Sequence, residues 1–241
     1  MRAARHAFLT YLVVALLVAV LVRIDVTLPG VGHLGSALVA MTFLYAPVVM
    51  ASIRKEDLEA YGLTWQPVKL SLLVSGIALS IIIPVFVVGY FGFYELACNR
   101  EPNFLTMLTP RGECRRYGGL ATLHAPRLGL GLLEFCAIQF VVVALPEELF
   151  FRGYLLTLLE KRYPPTRQLW GGKIGVALLL TSVMFALVHL PRAGDPSALA
   201  TFFPALLFGW MKSRTGSLLA PVITHAMANI LIHILTLIAA R

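Results

Sequence analysis

The sequence predicts an all-α, polytopic membrane helix bundle of about seven transmembrane helices, within a range of six to eight. Three observations carry that expectation. Of 241 residues, 59% are hydrophobic and only 13% charged, with a mean hydropathy of +0.82, whereas a soluble domain has roughly 25% charged residues. Apolar runs near 20 residues long, the length a helix needs to cross the hydrocarbon, recur along the chain. Lys and Arg gather in the short segments between those runs. No linker, low-complexity segment or internal repeat interrupts the pattern, so residues 1–241 read as a single integral membrane domain.

The first run, in MRAARHAFLTYLVVALLVAVLVRI, has the basic start and apolar core of a signal peptide but no small-x-small cleavage site. With further spans following, it reads as a retained helix over 7–27. Spans two and three read over 34–53 and 70–94, separated by RKEDLEAYGLTW, charged and then aromatic as an interfacial segment is. The loop 95–127 holds Cys98 and Cys114, compatible with a disulfide in an oxidising compartment or with two free thiols. Span four covers 128–160, too long for one simple crossing, and a break is expected near Pro146, which lacks the amide hydrogen of a helix interior. Spans five, six and seven read over 174–190, 198–211 and 217–239, the sixth being short.

The net charge of +8 would suggest nucleic acid in a soluble protein. Here the basic residues form no aromatic-interleaved stripe and read as orientation signals and lipid-headgroup contacts, with no nucleic-acid partner. With the N-terminus in the cytoplasm, eleven basic residues fall on the cytoplasmic side, from Arg2 and Arg5 through Arg54, Lys55 and Lys161 to Lys212 and Arg214. The other side takes Arg23, Arg192, Arg241 and five more in the loop 95–127.

Within VVVALPEELFFRGYLL, residues 141–156, three ionisable groups interrupt an apolar run. Each costs roughly 2.5 to 3.5 kcal/mol in a membrane span, so such groups need partners and mark function. Glu148 and Arg152 are four apart, stacked on one helix face and able to pair, while Glu147 points about 100° away. Two more apolar spans carry polar residues in pairs at the same spacing, each pair on one helix face: His189 four residues after Phe185, and Asn229 four after His225. Counted from the adjoining basic loops at about 1.5 Å per residue, Glu147 lies roughly 20 Å deep, His189 roughly 24 Å, His225 roughly 12 to 14 Å and Asn229 roughly 18 to 20 Å. These groups can meet near mid-membrane.

A carboxylate beside a neutral imidazole in a low-dielectric cavity can hold and deprotonate a water. A second imidazole and a carboxamide on one helix face can stabilise the oxyanion formed when that water attacks a carbonyl. No nucleophile stands out: there is no GxSxG elbow, and Cys136 is three helical turns from Glu147. The chemistry these residues suit is hydrolysis of an acyl bond, most simply a peptide bond, inside the membrane. His233 reads as structural or interfacial, Glu134 as near the membrane surface, and Phe185 as a packing wall for an imidazole.

Glu147-Glu148-x-x-x-Arg152, Phe185-x-x-x-His189 and His225-x-x-x-Asn229 together resemble, in order, the three signature motifs of the CAAX-type prenyl endopeptidase and bacteriocin-processing family, also called the Abi or CPBP intramembrane proteases. The resemblance covers roughly residues 128–240, the expected protease core. It implies a glutamic-type endopeptidase in which Glu147 and His189 activate water, His225 and Asn229 form the oxyanion hole, and Glu148 and Arg152 organise the site. It implies no cofactor. Zinc, invoked in older descriptions of the family, would need Glu147, His189 and His225 as ligands, and the chain has no HExxH. The implied partner is a membrane-anchored or lipidated protein or peptide cut near its C-terminus. Short loops favour a bacterial inner-membrane protein engaged in processing or sorting. Two other classes are weighed beside it. A proton-coupled transporter would use the same intramembrane acids and histidines, but repeats and broken half-helices are missing. A scaffold or immunity protein would keep the site for structure alone.

Overall fold

The computed structural model describes residues 2–28, 32–99, 104–110, 112–126 and 129–240, in which the bundle is built from seven helices. These are α1 (Arg2–Leu21), α2 (Leu34–Arg54), α3 (Val68–Cys98), α4 (Leu130–Glu160), α5 (Val176–Ala193), α6 (Phe202–Thr215) and α7 (Leu219–Ala239). Six of them are long and apolar enough to cross a membrane. The exception is α6, which has 14 residues and is only about 21 Å long at 1.5 Å per residue. The sixth expected span is therefore a short helix.

At each end of the bundle, hydrogen bonds join segments that are distant in the sequence. At one end the Leu218 amide donates to the Gly62 carbonyl at 2.8 Å, and Lys161 Nζ reaches Glu56 at 3.2 Å. At the other, the Gly118 amide donates to Ala239 O at 2.8 Å and Tyr117 bridges to Ala240. Cys98 and Cys114 are joined as a disulfide at this second end, the first of the two alternatives that the sequence left open. The basic end is clamped by Glu56, which accepts two hydrogen bonds of 2.9 Å from Arg54 and a short one from Tyr61. The Arg54 guanidinium, followed by the Tyr61 and Lys161 bonds, holds the Glu56 carboxyl down at about 2.

Lipid tails are as apolar as leucine, so helices here associate by close packing and hydrogen bonding rather than by the hydrophobic effect. The buried stripe of α1 is Ala4, Ala7, Val14 and Val18, while Leu12, Leu16 and Val20 face outward. That stripe packs with Phe43 of α2, Phe150, Phe151 and Leu155 of α4, and Phe185 of α5. Two hydrogen bonds fix α1 against them: Tyr11 donates to Met184 O at 3.0 Å and Thr10 pairs with the Tyr154 hydroxyl at 3.2 Å. Gly209 lets α6 approach α5 so closely that a Cβ there would collide with Leu178.

Helix α4 is continuous through Pro146. The expected break is replaced by two π-helical stretches, Gln139–Ala144 and Leu149–Leu155, flanking a short α-helical turn at Leu145–Glu148. Proline removes one amide donor and crowds the carbonyl four residues back. Widening the turns to i→i+5 hydrogen bonding accommodates both faults without bending the chain apart, and such π segments recur at functional sites.

Candidate active site

The turn held between those π segments carries Glu147 and Glu148 to the centre of the bundle. Glu148 is completely buried. Its Oε1 accepts from Arg152 Nη1 at 3.0 Å, the i,i+4 pair anticipated from the spacing, and from His225 Nδ1 at 2.8 Å. The Arg152 guanidinium lies 4.2 Å from the Phe185 ring centre and 5.2 Å from that of Phe208. Phe208 also stacks on His225 at 5.1 Å and 15°. Aromatic faces on both sides stabilise a cation that has little access to water.

Glu147 points elsewhere, as its position on the helix requires. Its Oε2 faces His189 Nε2 at 3.7 Å and His225 Nε2 at 3.8 Å, bringing acid and both imidazoles together. The His189 ring is oriented from behind, with Nδ1 2.7 Å from Phe185 O. A carbonyl only accepts, so Nδ1 carries the hydrogen and the neutral ring presents a bare Nε2 to Glu147. Phe185 thus serves its neighbour twice, through its carbonyl and through a ring 4.6 Å from the imidazole. Side-chain exposure falls from 26% at His189 and 14% at Glu147 to 8% at His225, so the cluster opens on the Glu147 and His189 side. Glu147 Oε2, Glu148 Oε2 and Arg152 Nη2 are buried with no hydrogen-bond partner among the described residues.

Asn229 lies one turn beyond His225 on α7, and its carboxamide is held by a residue that sequence reasoning passed over. Its Nδ2 donates to Gln139 Oε1 at 2.9 Å, across to the first π-helical stretch of α4. Gln139 and Phe208 are the two missed members of this neighbourhood. The only sequence signal for Gln139 was a lone amide in an apolar run; Phe208 gave none. His233 stacks on Phe135 at 4.1 Å, and Glu134 is exposed near the start of α4.

Residues 129–231 match the family model described as type II CAAX prenyl endopeptidase, Rce1-like. That stretch, somewhat less than half of the chain, is similar to an Rce1-like domain. No curated protein and no solved structure matches the chain. The matched family is one of proteases, and six helices of this chain are long and apolar enough to cross a membrane, as a multi-pass integral membrane protein requires. The Rce1-like stretch takes in Glu147, Glu148, Arg152, His189, His225 and Asn229, together with Gln139 and Phe208. The first three helices lie outside it, although α1 and α2 share its buried core. Among the described residues, no group of three or more His, Cys, Asp or Glu side chains is arranged to hold a metal ion. No step below passes through a metal.

Proposed function

We propose that the chain is an intramembrane glutamic endopeptidase that hydrolyses a peptide bond near the C-terminus of a membrane-anchored or lipidated protein. The observation that carries this reading is the approach of Glu147 Oε2 to the two Nε2 atoms, at 3.7 and 3.8 Å. A carboxylate and a bare imidazole nitrogen are both acceptors, and separations beyond 3.5 Å call for a bridging donor. A water donating one hydrogen to Glu147 and one to His189 satisfies both and turns a lone pair outward. Attack of that lone pair on a scissile carbonyl forms the new C–O bond while Glu147 takes the proton; collapse of the tetrahedral species breaks the C–N bond and returns the proton to the leaving amine.

The oxyanion needs donors aimed at it. Asn229 has two N–H bonds and gives one to Gln139, leaving the second for the substrate. His225, its Nδ1–H given to Glu148, meets the oxyanion through Nε2–H in its doubly protonated form, with Glu148 as counter-charge and Arg152 compensating that carboxylate in turn. The open Glu147 and His189 side is the path by which a peptide reaches the water.

Reconstituted protein is expected to release a C-terminal fragment from an anchored peptide, read by mass spectrometry, and His189→Ala is expected to lose that activity by at least about a hundredfold while still accumulating in the membrane. Full processing by this variant would remove the proposal. Gln139 acts in this scheme as a positioning residue for Asn229. Gln139→Leu is expected to lower kcat about tenfold with KM nearly unchanged, because a misdirected oxyanion donor is felt only in the transition state. A variant that changes KM alone would assign Gln139 to substrate binding instead.

A further inference from the structure

Between α3, α5 and α6, at the basic end of the bundle, lies an apolar groove of about 980 Å³, separate from the acid and histidine cluster. That volume is at the top of the roughly 300 to 1,000 Å³ range of ligand pockets. Its walls include Leu73 and Ile77 of α3, Leu179 of α5 and Leu207 of α6. Its floor is the antiparallel hairpin of Arg167–Leu169 with Gly172–Ile174 that follows α4. The hairpin is anchored, since Trp210 Nε1 donates to Leu169 O at 2.8 Å and the Lys173 amide to Ser213 Oγ at 2.7 Å. Gly172 has no room for a Cβ because the Trp210 indole lies against it.

An apolar groove in a membrane accepts any lipid tail; charge is what selects among lipids. Arg167 and Arg214 both line this groove, and neither has a carboxylate partner among the described residues. Arg214 is held over the hairpin turn, where a Cβ on Gly171 would come within 2.8 Å of its Nε. Trp170, 82% exposed at a positive φ of 46°, projects from the same turn. Indoles of this kind sit at the headgroup level of a bilayer, and basic pockets between transmembrane helices on the cytoplasmic side take acidic lipid headgroups. We infer that this groove binds one anionic phospholipid, its tails along α3 and α6 and its phosphate between Arg167 and Arg214.

The test uses the full-length protein in phosphatidylcholine vesicles containing a rising fraction of phosphatidylglycerol with brominated tails, or of equally brominated phosphatidylcholine. Bromine quenches the indoles of Trp170 and Trp210, and the Trp170→Phe/Trp210→Phe variant gives the background from Trp65. Quenching is expected at a several-fold lower fraction of the acidic lipid. Arg167→Gln and Arg214→Gln are each expected to weaken that preference about fivefold. Arg167→Lys with Arg214→Lys, which keeps both charges, should retain most of it. Equal quenching by both lipids, or a preference untouched by either Gln variant, would overturn the assignment. So would displacement of the brominated lipid by a lipidated substrate peptide, because the groove would then belong to the substrate.

Discussion

Glu147→Gln is expected to lower kcat/KM for cleavage of an anchored peptide by at least about a thousandfold, near the upper part of the 10²- to 10⁴-fold range of general-base catalysis. The change is nearly isosteric. It keeps an oxygen facing His189 and His225 but removes the negative charge and the basicity, so a bound water loses its proton acceptor. The Glu148–Arg152 pair at 3.0 Å and the Glu148–His225 contact at 2.8 Å do not involve the altered side chain. The variant is therefore expected to reach wild-type levels in the membrane. kcat should fall with kcat/KM, because deprotonation of water belongs to the transition state and not to substrate binding. Retention of more than about a tenth of wild-type activity would mean that Glu147 is not the base. A membrane proteome from cells carrying this variant should also contain anchored proteins that keep an extra C-terminal segment.

Much of this site was legible because ionisable groups in an apolar span are costly enough to announce themselves. The i,i+4 spacing gave the Glu148–Arg152 pair, and depth counted from the basic loops gave the convergence of Glu147, His189 and His225. What escaped had no such penalty attached. Phe208 is one apolar residue among many, and only the packing of α6 against α4 and α7 reveals that it lies between Arg152 and His225. Gln139 is neutral, and its register toward Asn229 is set by a π-helical stretch that a uniform 3.6-residue period does not contain. The same stretches explain why Pro146 did not break α4, since the rule applied assumed strict i→i+4 bonding. The sixth span, read as short from the sequence, is the 14-residue α6, displaced by a few residues toward the C-terminus because hydropathy reports apolar composition and leaves helix ends loosely fixed.

The second large effect concerns stability, and it separates holding the site together from doing chemistry in it. Arg152→Met is expected to destabilise the folded protein by about 3 to 5 kcal/mol, because it leaves the fully buried Glu148 without its guanidinium partner. The measurement is the unfolding midpoint in mixed detergent and denaturing micelles. A buried pair is costly to desolvate, so removing both charges should cost less than removing one. Glu148→Gln combined with Arg152→Met is accordingly expected to recover most of the lost stability, since Gln keeps an oxygen for the His225 Nδ1–H. It should not recover activity. Glu148→Gln removes the counter-charge beside His225, so the oxyanion loses a charge-assisted donor, a loss of roughly 10²- to 10³-fold. A double variant that is both stable and active would show that Glu148 and Arg152 act only as a helix clasp, and would move the work of the site onto Glu147, His189 and Asn229 alone.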